Sequence, residues 1–258
     1  MQKEIFKHND SDIMEGLPSV SAVIKAIENG NTDRKINTVF FDDSKIKSKA
    51  KELGFLKRKA SSLGFSIEYV NKERIDEIAI GNSHGGIIAF CSQRTIPGLD
   101  TSYIKPNGVY YMLEGIEDPY NFGYAVRSIY ASGGDGIILT PRNWMGVAGV
   151  VARSSAGSSE IIDMYVSEAE SAIDLFRSSG YTVVCAGIRD SVSIFEVELK
   201  KPLFVILGGE KRGISRTVLD KCDKVVRIDY GNDFNGSLST AAATAVFSFE
   251  ILRNNLNK

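Results

Sequence analysis

Residues 203–250 read LFVILGGEKRGISRTVLDKCDKVVRIDYGNDFNGSLSTAAATAVFSFE. Residues 203–207 are an apolar run of strand-forming side chains that stops at a Gly-Gly pair, which is typical of a buried parallel strand entering a tight loop. The spacing then predicts a helix over 214–222 and a second strand over 224–228. After a loop rich in glycine, asparagine and aspartate, a long helix opens near Ser237.

Two glycine-containing loops follow the two predicted strands of this stretch. In an open parallel sheet, ligands bind beyond the carboxyl ends of the strands, so both loops are expected to border one site. Gly208 and Gly209 carry no Cβ and let backbone groups approach a ligand closely. Ordinary strand-to-helix turns have the same composition, because one glycine-rich turn is a weak motif by itself.

The composition sets the broad class of the protein. With 258 residues, of which 43% are apolar, the chain can bury a large core, and we expect two domains. Its 31 lysines and arginines nearly balance 32 aspartates and glutamates, giving a net charge of −1. The overall field does not favour nucleic acid or an acidic membrane, so any RNA contact requires a local basic surface.

Cysteine usage and hydropathy predict where the protein works. Cys91, Cys185 and Cys222 are far apart, odd in number and set among apolar neighbours, which favours reduced thiols over a disulfide framework or a metal site. No apolar run reaches membrane-spanning length, and residues 1–12 lack the core of a signal peptide. We expect a cytoplasmic protein without a metal or a membrane partner.

Residues 1–95 are predicted to form a small α/β domain. A helical region over 45–63, broken near Gly54, carries a local basic run. Its basic residues, opposed by Glu52 alone, are Lys45, Lys47, Lys49, Lys51, Lys57, Arg58 and Lys59. Such a run suits a phosphate backbone, and a solvated helix face has the same charges. His84 has no visible catalytic partner and is interpreted as a turn residue. The other predicted elements are helices over 19–29 and 72–80 and strands over 37–41, 66–70 and 86–91.

Residues 96–107 form a predicted linker rich in turn residues, and residues 108–258 form the second domain. Asp118 is a suitable N-cap with Pro119 at the first helical position, so a helix begins there. Arg127 lies on that helix among apolar neighbours and either reaches solvent or faces an anion. The order of elements predicts a largely parallel sheet with interleaved helices. The further predicted elements are strands over 109–113, 136–139, 161–166 and 181–186 and helices over 147–155 and 169–178.

Three short motifs occur in order along the second domain. The first joins residues 118–123 (DPYNFG) to Arg127, and the second joins residues 207–210 (LGGE) to Gly213. The third is Ser237-Leu238, followed by the helix that ends in Phe249-Glu250. Together they resemble the motifs of the SpoU (TrmH) family of RNA ribose 2′-O-methyltransferases, of the SPOUT superfamily. The segments 83–87 and 153–158 also resemble the family's N-terminal and linking signatures, so the resemblance spans nearly the whole chain.

The resemblance implies an α/β fold: a mostly parallel SPOUT methyltransferase domain with a trefoil knot, preceded by a small α/β ribosomal-protein-like domain that binds RNA. It implies S-adenosylmethionine as cofactor, rRNA or tRNA as substrate, and a homodimer formed through the C-terminal domain. The implied cofactor-binding residues, several of which would act through backbone groups, are Leu207, Gly208, Gly209, Ile228, Ser237 and Leu238. The implied catalytic residues are Arg127, Asn121, Glu210, Ser237 and Ser239.

The role of Arg127 follows from its chemistry. A guanidinium has a pKa above about 12 and is a poor general base. We interpret Arg127 as an anchor for the phosphate next to the target ribose, which also stabilises the developing alkoxide.

Two positions depart from the family's pattern. The family reads Ile-Pro-Met before the last loop and Ser-Leu-Asn after it, whereas this chain has Ile228-Asp229-Tyr230 and Ser237-Leu238-Ser239. Asp229 puts a carboxylate where the family has proline beside the cofactor, and Ser239 is a shorter donor than the amide it replaces. We hypothesise that Asn232 or Asn235, in a slightly longer loop, takes the place of that amide.

These observations support an active RNA methyltransferase, with one alternative from another class. Asn121, Arg127 and Glu210 favour the enzyme, whereas Asp229 and Ser239 favour a non-catalytic RNA-binding relative that acts as an assembly or regulatory factor. An unrelated nucleotide-binding enzyme would require the ordered motifs to be a coincidence, and no glycine-rich phosphate fingerprint follows the strand predicted over 109–113.

Overall fold

A computed structural model describes residues 11–79, 81, 84–141, 147–209 and 213–256. Its elements in chain order are β1 (Ser11–Glu15), α1 (Gly16–Glu28), β2 (Ile36–Asp42), α2 (Ala50–Leu63), β3 (Ser66–Val70), α3 (Lys72–Ile78), β4 (Ile87–Ser92), β5 (Val109–Glu114), α4 (Pro119–Ala131), β6 (Gly136–Leu139), α5 (Ala148–Ser154), β7 (Asp163–Val166), α6 (Ala169–Ser178), β8 (Thr182–Ala186), β9 (Val192–Ser193), β10 (Leu203–Gly208), α7 (Arg216–Asp220), β11 (Lys224–Arg227) and α8 (Thr240–Asn255).

The chain divides into two compact units. The first contains the described residues up to Thr95 together with 147–161, and the second contains 96–141 and the described residues from Ile162 onward. Residues 147–161 thus count with the first unit although β6 and β7, on either side of them in the chain, belong to the second.

A mixed sheet with the strand order β1-β4-β2-β3 forms the first unit. The pairs β1–β4 and β4–β2 are antiparallel, and β2–β3 is parallel. Val39 and Phe41 alternate with more exposed residues along β2 and share one apolar core with Val23 of α1, Leu56 of α2 and Ala152 of α5. Helices from two distant parts of the chain therefore complete the core of this sheet.

The segment 147–161 packs closely in the first unit because two of its glycines, Gly149 in α5 and Gly157 after it, permit close contact. A Cβ on Gly149 would lie 1.8 Å from the carbonyl oxygen of Ile13 in β1, and one on Gly157 would lie 2.2 Å from the Cβ of Ala22 in α1. Neither contact leaves room for a larger residue.

A buried ion cluster joins the same segment to the first sheet. Arg34, whose side chain is 4% exposed, contacts Glu160 through Nε at 2.8 Å and also pairs with Asp12. Closer to α5, Arg153 pairs with the buried Glu15 at 2.7 Å. Removing one partner from such a buried cluster leaves an uncompensated charge, which costs about 3–5 kcal/mol.

A seven-stranded sheet with the order β7-β6-β5-β10-β8-β11-β9 forms the second unit, and every pairing in it is parallel. β10 is central, and residues 203–207 are buried. The prediction of a buried parallel strand there is confirmed, as is a parallel α/β fold. Phe176 of α6 stacks on Phe204 of β10 with ring centroids 4.2 Å apart, which fixes α6 against this strand.

Several local predictions differ from the structure. α2 runs through Gly54 without a break and ends at Gly64, whose φ of +79° closes the helix. The predicted break near Gly54 is therefore wrong. The helix continues because packing of Leu53 and Leu56 in the core outweighs the low helix propensity of one glycine. No strand was predicted over the residues of β1. Helix α7 is shorter than the helix predicted over 214–222.

The prediction of three reduced thiols is wrong for two of them. Cys185 and Cys222 form a disulfide, with Cα atoms 6.1 Å apart across a separation of 37 residues. No local sequence pattern indicates this pair, because the two cysteines come together only when β11 pairs with β8 and places Val225 opposite Cys185. Cys91 is free, and burial raises the pKa of its thiol to about 12.

Two helical glycines give a matched test of the close packing of α5. We expect Gly149→Ala to lower the free energy of unfolding by about 1–3 kcal/mol or more, because the new methyl group overlaps backbone atoms. Gly54→Ala should raise it by about 0.5–1 kcal/mol, since its Cβ would meet only Arg58 at 3.7 Å. Calorimetric melting of both variants measures this. A shift of the same sign in both would contradict the packing of α5 against β1.

Candidate active site

The turn after β10 is built by a close approach of the chain to itself. Gly208 lies opposite Glu114 in the sheet, and Gly209 donates its N–H to the Glu114 carbonyl at 2.6 Å. A Cβ on Gly209 would lie 2.3 Å from the Gly115 oxygen, and one on Gly208 would lie 2.5 Å from the carbonyl carbon of Gly213. Both positions therefore require glycine, because these neighbours are backbone atoms. The close approach expected at this pair is to the protein's own backbone.

Helix α8 begins against the same turn. The buried hydroxyl of Thr240 donates to the Gly208 carbonyl at 2.9 Å. Ser239 is the N-cap, and its Oγ accepts from the N–H of Ala242 at 3.3 Å. Thr240 was not among the site residues predicted from the sequence, although a hydroxyl residue directly after Ser237-Leu238-Ser239 was a usable signal. Thr240 is the residue that ties the third motif to the second.

Asp229 begins the loop 229–239, which we call the β11–α8 loop. Its carboxylate pairs with Arg227 Nε at 2.7 Å. A hydrogen bond from the Ser193 hydroxyl, together with the Arg227 guanidinium, holds the pKa of this carboxyl below its usual value. The carboxylate that stands in the place of the family's proline is thus compensated by neighbours on β11 and β9.

The two ends of the β11–α8 loop are joined by a hydrogen bond. The N–H of Leu238 donates to the hydroxyl of Tyr230 at 3.2 Å, and the ring of Phe234 meets Tyr230 edge-on with centroids 5.4 Å apart. The amide of Leu238 is therefore occupied, so a backbone contact from Leu238 to a cofactor would use its carbonyl unless Tyr230 moves. Neither Asn232 nor Asn235 hydrogen-bonds to another described residue, so their proposed substitution for the missing amide stays a hypothesis.

The first motif lies at the start of α4. Asp118 accepts hydrogen bonds from the N–H groups of Tyr120 and Asn121 at 2.7 and 3.4 Å, and Pro119 occupies the first turn. The predicted N-cap is confirmed. Asn121 is half-buried and has further contacts in the folded chain.

Arg127 lies on the exposed face of α4, together with Tyr120 and Tyr124. The opposite face is buried, and its residues are Phe122, Gly123, Ala125, Val126 and Ile129. Helix α4 also contacts α8. In the part of the chain that the structure describes, Arg127 makes no ion pair or hydrogen bond. Its five N–H donors are thus available to an anion.

The remaining predicted site residues have different surroundings. Leu207 is buried inside β10, Ile228 is half-buried after β11, and Ser237 is exposed without a hydrogen bond to any described residue. Glu210 lies outside the described residues. The roles assigned to these residues from the family's motifs stay predictions.

His84 has a structural role in the first unit. Its Nδ1 accepts from the N–H of Gly86 at 3.1 Å, and its Nε2 lies 3.1 Å from Asp76. The interpretation of His84 as a turn residue is confirmed. Across the described ranges, no cluster of three or more His, Cys, Asp or Glu side chains is suited to a metal ion. The described helices also include none with the length and hydropathy needed to cross a membrane.

Solved RNA methyltransferases share this fold. An AdoMet-bound rRNA methyltransferase from Sinorhizobium meliloti aligns with a TM-score of 0.78 at 25% identity, covering 99% of this chain and 92% of that one. The SpoU methyltransferase AviRb from Streptomyces viridochromogenes, in complex with AdoMet, aligns at 0.79 with 18% identity, covering 96% and 91%, which shows the shared fold alone. The fold therefore places the chain in the class of α/β proteins that share the fold of solved RNA methyltransferases.

The chain belongs to the SpoU rRNA Methylase family, whose model matches residues 108–249. A second model, described as RNA 2′-O ribose methyltransferase substrate binding, matches residues 15–97. A putative TrmH family tRNA/rRNA methyltransferase of Staphylococcus saprophyticus is 29% identical, over 90% of this chain and 92% of its own length. The 23S rRNA (guanosine-2′-O-)-methyltransferase RlmB of Shewanella oneidensis is 28% identical over 76% and 81%.

Substitution of two threonines of α8, one at a time, distinguishes the effect of the contact with the glycine turn from the effect of ordinary helix packing. We expect Thr240→Val to lower the free energy of unfolding by about 1–3 kcal/mol, because the Gly208 carbonyl loses its donor. Thr244→Val should lower it by no more than about 0.5 kcal/mol, since among the described residues the hydroxyl of the buried Thr244 bonds to the Thr240 carbonyl of its own helix. Calorimetric melting compares them, and equal losses would contradict a special role for Thr240.

Proposed function

We propose that this protein transfers the methyl group of S-adenosylmethionine to a ribose 2′-hydroxyl of rRNA or tRNA. The observation that carries the proposal is the contact of the second and third family motifs, in which Thr240 binds the carbonyl of Gly208 at the carboxyl edge of a parallel sheet. Membership of the SpoU rRNA Methylase family supports the reaction class, and relatives named as tRNA/rRNA or 23S rRNA methyltransferases support the substrate class.

The residues at this edge fit the cofactor. An adenosine needs apolar walls and backbone polar groups, and Ile228 and Leu238 offer apolar side chains at the two ends of the β11–α8 loop. The glycine pair lets the turn after β10 fold tightly against the backbone of Gly115 and Gly213, and a turn without side chains keeps its backbone polar groups accessible. We propose that six residues bind S-adenosylmethionine: Leu207, Gly208, Gly209, Ile228, Ser237 and Leu238. When bound, it supplies a methyl group on a sulfonium, whose leaving group is a neutral thioether.

The side chains of this protein would align the ribose 2′-hydroxyl with the methyl group and stabilise the hydroxyl oxygen as it loses its proton. Alignment of two reacting groups supplies about 7–11 kcal/mol in favourable model systems. Arg127 is permanently charged and would bind the neighbouring phosphate and the developing alkoxide. We assign Asn121, Glu210, Ser237 and Ser239 to shaping the site and orienting the ribose.

The first domain is assigned to binding the RNA substrate. Within the basic run, Lys45 pairs with Asp42 and Lys59 pairs with Glu28, so these two charges are partly neutralised. Lys47, Lys51 and Arg58 are exposed and make no ion pair with a described residue. These three charges would release counterions when they meet phosphates, so RNA affinity should fall steeply with salt.

We further propose a homodimer, a trefoil knot in the C-terminal domain and a cytoplasmic location. Two observations are compatible with the knot. Thr240 contacts Gly208, and β10 lies at the centre of the sheet although it comes late in the sequence. Exposed aromatic residues on the packed helices α4 and α8, among them Tyr124 and Phe249, support a dimer face. Disulfides are rare in the reducing cytoplasm, so the disulfide does not support a cytoplasmic location. The support for that location is the proposed substrate, because rRNA and tRNA are cytoplasmic.

Methyl transfer and cofactor binding test the proposed reaction. We expect one S-adenosylmethionine per subunit by calorimetric titration, and transfer of its tritiated methyl group to unmodified rRNA or tRNA transcripts. Arg127→Ala should reduce transfer by about 100-fold or more and leave cofactor affinity within about twofold, since Arg127 is assigned to the substrate. Arg216→Ala is the control, because Arg216 is also exposed and, among the described residues, pairs with Asp220 of its own helix α7.

Transfer by Arg127→Ala at the parent rate would contradict the role of Arg127. Absence of cofactor binding by the parent, with binding gained by Asp229→Pro, would favour the non-catalytic RNA-binding relative over the enzyme.

The proposed dimer face is tested by replacing each of two exposed phenylalanines with aspartate. Phe249 on α8 is 49% exposed, and Phe195 after β9 is 59% exposed. We expect light scattering to give twice the chain mass for the parent and for Phe195→Asp. Phe249→Asp should give the mass of one chain, because a carboxylate cannot be buried unpaired in an apolar interface. A monomeric parent, or a dimer that tolerates Phe249→Asp, would contradict this face.

A further inference from the structure

Two exposed aromatic side chains lie close together in the mostly polar β11–α8 loop. Tyr230 is 39% exposed and Phe234 is 53% exposed, while the rest of the loop consists of glycine, asparagine, aspartate and serine, with Leu238 near its far end. An isolated exposed aromatic residue is common on protein surfaces. A pair in contact on one loop presents a larger apolar surface to a ligand.

The pair is held in place by the loop itself. The Tyr230 hydroxyl accepts from the Leu238 amide at the far end of the loop, and the Phe234 ring rests edge-on against the Tyr230 ring. At the near end, the ion pair of Asp229 with Arg227 fixes the residue next to Tyr230. A ligand that meets these rings therefore does not have to order them, which lowers the entropic cost of binding.

The position of the loop relates the pair to the reaction site. The loop leaves β11 at the carboxyl edge of the parallel sheet, and it ends one residue before Thr240, which contacts Gly208. The aromatic pair thus belongs to the segment that carries the third family motif.

We propose that Tyr230 and Phe234 form a stacking platform for an unpaired nucleobase of the RNA substrate, next to the methylated ribose. Proteins bind unstacked RNA bases mainly through aromatic faces, since every base offers a π-surface. Phe234 is 53% exposed beside the Tyr230 ring, so part of its side chain is accessible to such a base. Asp229 and Tyr230 position the platform, and Phe234 contacts the base. This inference rests on the proposed RNA substrate and adds a subsite for one of its bases.

The test compares Phe234→Leu, which keeps an apolar side chain but removes the ring, with Phe234→Tyr, which keeps the ring. The probes are a mixed-sequence single-stranded RNA 12-mer and the same ribose-phosphate chain with abasic sites in place of its bases. Phe234→Leu should weaken binding of the 12-mer by at least about fivefold, at the lower end of the about 5- to 150-fold range for one base–aromatic stack. Phe234→Tyr should bind it like the parent.

Two further readouts separate stacking from a general defect. The abasic chain should bind the parent and Phe234→Leu equally, because it retains the phosphates and lacks the bases. Affinity for S-adenosylmethionine and the mass in solution should be the same for all three proteins. Ultraviolet crosslinking of the 12-mer should place an adduct on the peptide that contains Phe234.

The outcomes distinguish this inference from the proposed function. Equal binding of the 12-mer by the parent and Phe234→Leu overturns the platform alone, even if methyl transfer is observed. A loss of the dimer in Phe234→Leu also overturns it, because the ring would then face a second copy of the chain. If the parent binds neither probe and methylates no transcript, the platform and the proposed function both fail.

Discussion

The parallel pairing of β10 between β5 and β8 is the constraint on which the second unit depends. It places Gly208 opposite Glu114, so that the turn after β10 must pass within van der Waals contact of the backbone at Gly115. Glycine is required there by the protein's own atoms before any ligand is considered. Thr240 then attaches α8 to the Gly208 carbonyl, and one buried strand end thereby gathers two motifs that are about thirty residues apart in the chain.

A different constraint organises the first unit. Residues 147–161 come from the middle of the chain and complete a core whose other residues lie before residue 96. Close contacts at Gly149 and Gly157 and the buried Arg34–Glu160 pair hold them there. Mutations in this segment should therefore act on the first unit, although the sequence places it between two strands of the second.

The departures from the family's pattern have specific structural consequences. Asp229 is compensated by Arg227 and Ser193, and Ser239 serves as a helix N-cap. The Leu238 amide is occupied by Tyr230. Each substituted residue thus has a local role in ordering the β11–α8 loop. These contacts explain how the loop folds without the usual proline, and they leave Phe234 exposed on a fixed surface.

The sequence by itself determined the class of fold, the strand at 203–207 and the N-cap at Asp118, because these depend on residue periodicity and on contacts between near neighbours. Family motifs identified from the sequence also indicated the reaction. Only the tertiary structure decided that α2 passes through Gly54, that Cys185 meets Cys222, and that Thr240 joins the motifs. These outcomes depend on strand order and on packing between distant segments, which local sequence patterns do not encode.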